Sequence, residues 1–483
     1  MRLLLATLAI ACAIPGVANA APDDVSFEAE GMSRENGAGA PHDPAASAGS
    51  ALELWGGGPA WATVTTRRST VHMFVRIKPI HCVAAPEIVV NANGRTFYAG
   101  PVDGEGYRHL GFRVSLPPGQ HRIEVSLSNG GTQYIGPVTF CNRGVRVDNV
   151  TLVASPFAPT GWRNRRLSKK EPIARDSRVL RDELRDQIGD SLASGRPGGT
   201  GVWVGTDRWS VPIYTVPPDQ PRVRVRLDGD SASLQRQWNA VPLPPDARPA
   251  AGDERNPANA DAYLVVWQPS TDTLWEFIGM RKEASGGWVA HYGGRMTNVS
   301  RSEGHFTDPP AGPGRLFGAT ATSISLLAGT QRIEEIRRGL VDADVKAIDH
   351  AIDFGVVKGR GRLGYCWPAQ RTDGFARRRS PEAIPAGTRF RFPASLNLDK
   401  YDLTPYARLV AEAIRRYGMV ARDTGGVVGF SAEDPTPTGQ NPYMEMWGGR
   451  QPSAKPDGLF ANFPWHKLQA LAPQGFGCRD GRG

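Results

Sequence analysis

Apolar and polar residues alternate through the first third of the chain. Val71-His72-Met73-Phe74-Val75-Arg76-Ile77 and His121-Arg122-Ile123-Glu124-Val125-Ser126-Leu127 repeat every second residue, the spacing of strands with one buried face. Pro117-Pro118-Gly119-Gln120 and Asn93-Gly94 supply turn chemistry between such runs. A short strand at Val25–Glu30 opens the unit and Val145–Leu152 closes it, so residues 24–154 read as one β-sandwich. The period then changes. Val179, Leu180, Leu184 and Ile188 recur at helical spacing among many charges. With the basic run Trp162–Lys170 before them and Ser194–Gly199 after, they make 155–200 a basic, partly helical linker. Strand-like runs resume over 201–476, interrupted by one clear helix. Thr404-Pro405 starts it, Tyr406, Leu409, Val410, Ala413, Ile414 and Tyr417 form its apolar stripe, and Gly418 ends it. The fold expected is mainly β: an N-terminal β-sandwich followed by a larger β-rich domain with one or two helices.

Composition places this chain outside the reducing cytosol. Arg2, the apolar run Leu3–Ala13 and Ala18-Asn19-Ala20 make residues 1–20 a signal peptide, which implies a secreted protein, extracellular or periplasmic. No other segment is long and apolar enough for a membrane span. Cys12 leaves with the signal. Cys82, Cys141, Cys366 and Cys478 remain, an even number whose spacing suits two disulfides in any of three pairings and does not suit zinc. The formal charge of +9 points to a polysaccharide partner, an anionic one included, and no motif points to nucleic acid.

Phe27-Glu28-Ala29-Glu30 near the start and Val147-Asp148-Asn149-Val150 at the end carry a resemblance. So do Ile88–Gly94, Pro117-Gly119-His121, Leu127-Ser128-Asn129, and the pair Cys82 and Cys141. Together they resemble the jelly-roll carbohydrate-binding modules of bacterial glycan-degrading enzymes, the calcium-dependent xylan-binding kind in particular. That resemblance implies a jelly roll, a structural Ca²⁺ on Glu28, Glu30 and Asp148, a Cys82–Cys141 disulfide and, with it, Cys366–Cys478. Parity places Glu28 and Glu30 on one strand face, and spaced carboxylates suit calcium. The xylan-binding modules carry acidic residues flanking the cysteine pair. Here Ile80-His81 and Asn142 stand there, so no sugar-bridging metal is implied. Trp55 and Trp61, in a glycine-rich stretch, are candidates to stack a pyranose ring.

The second unit has its own resemblance. Gly318–Thr322, Leu326–Gly329, Arg332–Glu335, Ile348–Ile352 and Arg416–Gly426 resemble a group of secreted bacterial and fungal proteins of unassigned function. Its chemistry has to come from the residues. In Val265–Phe277 a four-residue loop, Pro269–Asp272, pairs Gln268 with Thr273 and Val265 with Glu276. Glu276 then shares a face with Tyr263, Val265, Trp267 and Leu274, and that face must be wet or must pair the carboxylate. Glu276 with Asp349 or Glu335 is the candidate acid pair of a glycoside hydrolase, and His350 with Arg371 the base and uronate anchor of a polysaccharide lyase. Tyr263 and Trp267 join Trp55, Trp61 and Arg371 as candidate sugar contacts. The function expected is polysaccharide binding, with glycan cleavage by the second unit. The alternative is a non-catalytic wall- or matrix-binding protein.

Overall fold

The computed structural model describes residues 21–34, 38–56, 58–193, 199–252, 261–306, 317–342, 345–361, 364–375 and 383–479. The expected signal peptide lies outside them.

Two antiparallel sheets form the N-terminal unit. One runs Ala38–Gly39, Leu52–Leu54, Phe140–Ala154, Thr70–Ile80, Arg108–Leu116, with Val25–Glu28 and Gly131–Tyr134 also paired to the long strand Phe140–Ala154. The other runs Ser33–Arg34, Ala60–Thr66, Gly119–Leu127, Glu87–Ala92, Arg95–Pro101. Spatial neighbours are mostly distant in sequence, the connectivity of a jelly roll. The alternating residues do what their period requires: Met73, Val75, Ile77, Val90, Ile123, Val125 and Val147 fill the space between the sheets. First and last strands meet, with Phe27 opposite Val150. Cys82–Cys141 closes one end, and a second disulfide joins Cys366 to Cys478.

The remainder is built around a six-stranded mixed sheet, Val202–Gly205, Val428–Ser431, Ile352–Val356, Met419–Thr424, Arg389–Arg391, Gln469–Ala470. The helix Pro405–Arg416 begins as its sequence demands, with the Thr404 hydroxyl accepting from the Ala407 N–H, and Gly418 follows at φ 84°. Its apolar stripe packs into a core shared with this sheet. A four-stranded sheet, Ile213–Thr215, Leu264–Gln268, Thr273–Ile278, Tyr292–Thr297, carries the hairpin that holds Glu276.

The stretch expected as a linker is packed into the second body. Trp162 is 1% exposed and Arg163 fully buried, and the helix Ser177–Ala193 buries Leu180, Leu184 and Ile188 in the second core. Nor does the sandwich hang free. Val71, Phe74 and Val153 on its outer face belong to the same apolar cluster as Trp267 and Leu326 of the second body. Polar contacts surround that seam: Arg113 with Glu433, Arg95 with Glu334 at 2.9 Å, His109 with Asp219 at 2.9 Å, and the Ser69 hydroxyl on Asp349.

Candidate functional site

The hairpin register is Val265 opposite Glu276, Trp267 opposite Leu274 and Gln268 opposite Thr273. Its Glu276 face is neither wet nor a groove. Glu276 is fully buried. Oε1 accepts from the Ser325 hydroxyl and from the Leu327 N–H at 3.3 Å, while Oε2 has no partner. Ser325 precedes the short helix Leu326–Gly329, so the first free N–H groups of that helix face the carboxyl. Burial pushes the Glu276 acid up to about 7, against the pull of Ser325, the two backbone N–H groups and Arg422. Tyr263 and Trp267 are 5% and 2% exposed and lie in the core. The expectation that they present rings to a sugar is corrected: a strand covered on both faces puts every large side chain inside.

Glu335, His350 and Asp349 gather elsewhere, against the sandwich. His350 Nε2 lies 3.1 Å from Glu335 Oε2 and its Nδ1 lies 2.8 Å from the Ala351 carbonyl. Both ring nitrogens thus face oxygen atoms of the second body. Burial alone would raise Glu335, but the His350 ring, Arg332 and Arg163 outweigh it and hold the acid down at about 2. Asp349 takes its hydrogen bond from Ser69 of the sandwich. Of the three, Asp349 alone bonds the sandwich, while Glu335 and His350 bond each other inside the second body; Glu276 has other partners. Arg371 is part-buried. It donates to the carbonyls of Gly318 at 3.1 Å and Thr320 at 2.7 Å and lies over the Tyr292 ring at 5.3 Å.

A second acid cluster reaches the surface. The Tyr263 hydroxyl lies 3.4 Å from Asp423 Oδ2 and also bonds Asp261. The Thr424 hydroxyl donates to the exposed Asp373 at 2.8 Å. Loss of water around its carboxyl pushes Asp423 up to about 7; Arg422 opposes this, and the like charges of Asp373 and Asp261 add to it. Arg422 itself is bound to Asp353 at 2.5 Å and to the Ser431 hydroxyl at 2.9 Å. Asp261 was missed from sequence, although its spacing of two from Tyr263 was the available signal.

In the sandwich, Trp55 and Trp61 are half-buried on outer faces. The Trp55 ring nitrogen donates to Glu53 at 2.8 Å, and the Arg122 guanidinium lies 4.5 Å from the Trp61 ring centre. At the expected calcium corner the first strand stops at Glu28. Ala29–Gly31 turn as a 3₁₀ helix, so strand parity does not relate Glu30 to Glu28. The Ser47 hydroxyl bridges Glu28 Oε2 at 2.7 Å and Asp148 Oδ1 at 2.9 Å. Asp148, at a bulge, also binds Arg76 and Asn149. Glu30 Oε2 is buried without a partner, an orphaned oxygen of the kind a hard cation takes. Among the described residues no three His, Cys, Asp or Glu side chains stand together as a metal site.

No family model and no curated protein sequence matches this chain. Among solved structures, a family 36 carbohydrate-binding module in complex with calcium and xylotriose matches at 16% identity and a TM-score of 0.21, over 26% of this chain and 97% of that one. A family 35 module from Clostridium thermocellum matches at 13% identity and 0.20, over 28% and 95%. An exo-β-1,3-galactanase from Phanerochaete chrysosporium matches at 18% identity and 0.21, over 27% and 29%. At these scores the likeness adds nothing to the strand order already described.

Proposed function

We propose that this chain is an extracellular polysaccharide-binding protein. The observation that carries the reading is the placement of Trp55 and Trp61. Both sit on outer faces of the sandwich, partly open, while its interior is filled mainly by aliphatic side chains. An amphipathic ring at a surface buries the C–H face of a sugar and leaves its hydroxyls wet. Two disulfides suit the oxidising compartment in which such a polymer is met. Pull-down of the full chain on insoluble glycans and affinity electrophoresis on soluble ones test the reading. Retention that falls in Trp61→Ala supports it, and a folded chain that binds no glycan sinks it.

A structural Ca²⁺ at the corner of Glu28, Glu30 and Asp148 belongs to the same proposal, resting on the orphaned Glu30 oxygen. Its test is the thermal midpoint in calcium against that in chelator. Calcium raises the midpoint of the parent and not of Glu30→Gln; equal midpoints for the parent remove the ion from the account.

Glycan hydrolysis by the second body is a second reading, favoured by Asp423. An acid at about 7 is half protonated at neutral pH, as a general acid must be, and the exposed Asp373 is one hydrogen-bonded residue away. Reducing-sugar release across a polysaccharide panel tests it. Product that persists in Asp423→Asn removes Asp423 from the chemistry. No product from any substrate leaves the binding reading alone.

A further inference from the structure

The basic run Trp162–Lys170 ends beside a cleft in the second body. Backbone bonds fix the chain there. The Leu167 N–H donates to the Arg416 carbonyl at 2.8 Å, the Ala174 N–H to the Ala470 carbonyl at 2.9 Å, and the Ala472 N–H to the Pro172 carbonyl at 2.8 Å. The stretch from Ser168 to Ile173 therefore lies along the edge of the six-stranded sheet, where Ile173 bridges to Leu471. Strand Arg389–Arg391 pairs with Gln469–Ala470 at that edge and runs on into Pro393-Ala394-Ser395. Between these segments is a cleft of about 420 Å³, lined by Lys169, Glu171, Arg391, Ser395 and Gln469 among others.

Arg165, Lys169, Arg389 and Arg391 surround the carboxylate of Glu171, and that carboxylate is already committed. It pairs with Arg165 at 2.7 Å and accepts from the Ser168 N–H at 3.0 Å and the Gln474 amide at 3.3 Å. Burial would raise the Glu171 acid, but Arg165 and the Ser168 N–H outweigh it and hold it below its ordinary value. Arg391 reaches only neutral acceptors, with Nε on the Phe392 carbonyl at 2.9 Å and Nη1 on the Ser168 carbonyl at 2.7 Å. Arg389, two residues back on the same strand face, gives Nε and Nη2 to the Tyr417 carbonyl, and its buried Nη1 has no partner. Burial pushes this guanidinium down to about 9; Arg165 and Arg391 add to the effect and Glu171 opposes it. Lys169 is exposed. Among the described residues no carboxylate pairs with Lys169, Arg389 or Arg391. The sheet edge thus gathers three positive charges that repel one another and lack a counter-charge, a field that draws an anion into the cleft.

The donors also say which anion. With Nε and Nη1 engaged on carbonyls, Arg391 does not offer the open fork that grips a planar carboxylate through two parallel bonds. It offers its remaining nitrogen, beside a lysine that acts as a point charge and the neutral donors of Ser395 and Gln469. Single donors spread over separate segments suit a group whose oxygens point in several directions. We infer that this cleft is a binding site for a tetrahedral oxyanion, a phosphate or sulfate ester group. It lies on the second body and does not depend on Trp55, Trp61 or the sugar-binding reading of the sandwich.

The test titrates the full chain with inorganic phosphate, sulfate and acetate by calorimetry, with sodium chloride adjusted so that ionic strength stays fixed. Lys169→Glu is the variant, and Arg34→Glu on the sandwich is a control with the same change in net charge. Both residues are exposed, so both proteins keep the parent's thermal midpoint without added anion. The expected result is saturable binding of phosphate or sulfate, no comparable binding of acetate, and a loss of about tenfold or more in Lys169→Glu, the scale of one charged hydrogen bond. Arg34→Glu binds as the parent does. Phosphatidic acid vesicles and a phosphorylated mannan run in parallel to find the source of the group. Whichever the parent retains and Lys169→Glu releases is that source, and binding of free phosphate alone assigns the site to a small phosphate compound. A parent that binds neither phosphate nor sulfate at fixed ionic strength overturns the site. So does equal binding by Lys169→Glu and Arg34→Glu, and acetate bound as tightly as phosphate overturns the tetrahedral assignment.

Discussion

Glu276 makes the pH dependence of stability a direct test of the second body's interior. In the folded chain its acid lies at about 7; the ordinary value is 4.5. Folded protein therefore holds this proton more tightly than unfolded protein. Below 4.5 both states are protonated and the group contributes no pH dependence. Between 4.5 and 7 the unfolded chain releases the proton while the folded chain keeps it, so stability falls as pH rises. Above 7 the full penalty is present. A rise of about 2.5 units at roughly 1.4 kcal/mol each amounts to ~3 kcal/mol.

Glu276→Gln removes that titration while keeping an acceptor for the Ser325 hydroxyl and the Leu327 N–H. The new amide lies where Oε2 already lacks a partner, so the variant carries a fixed penalty at every pH. What changes is the difference between variant and parent. From pH 4.5 to 8 it should move by ~3 kcal/mol in favour of the variant, roughly 6–12 °C in midpoint for a body of this size. Scanning calorimetry or near-ultraviolet circular dichroism across that range measures it. Comparing the two proteins cancels the other buried acids, Asp423 among them. Midpoint curves that run parallel from pH 4.5 to 8 would refute the buried, neutral Glu276.

The seam between the two bodies gives a second prediction: Arg113→Met leaves Glu433, 2% exposed, with one oxygen unpaired and costs about 3–5 kcal/mol, read as an earlier first transition. An unchanged profile would mean the two bodies do not stabilise one another through that pair. Thr404→Ala removes the hydroxyl cap of helix Pro405–Arg416 and costs about 1 kcal/mol, seen in the midpoint and in faster amide exchange in the first helical turn. Unaltered exchange there would place the stability of that turn wholly in tertiary packing.

The strand period and turn chemistry were legible because they are local. Thr404-Pro405 and Gly418 bracket a helix whichever sheet lies beneath it, and a four-residue loop fixes which residue faces Glu276. What lies above Glu276 was not legible. Its partners, Ser325 and Leu327, come from a segment some fifty residues on, and nothing in their own neighbourhood announces a carboxyl between them. The same limit explains Trp162–Lys170. A basic run on its own reads as solvated surface, yet Arg163 is sealed inside because the Ala328 carbonyl and the Ser155 hydroxyl wait for its guanidinium. The two burials differ in source: Arg163 lies where the bodies meet and bonds a group from each, whereas Glu276 is enclosed by the second body alone. Asp349, Glu335 and His350 were candidates from sequence as acid partners and a base; in the structure Glu335 and His350 bond each other, and Asp349 takes the Ser69 hydroxyl across the boundary between the bodies. The search for chemistry therefore moves to carboxyls that keep solvent on one side, Asp423 and Asp373, and the search for sugar contacts moves to rings that no second body covers.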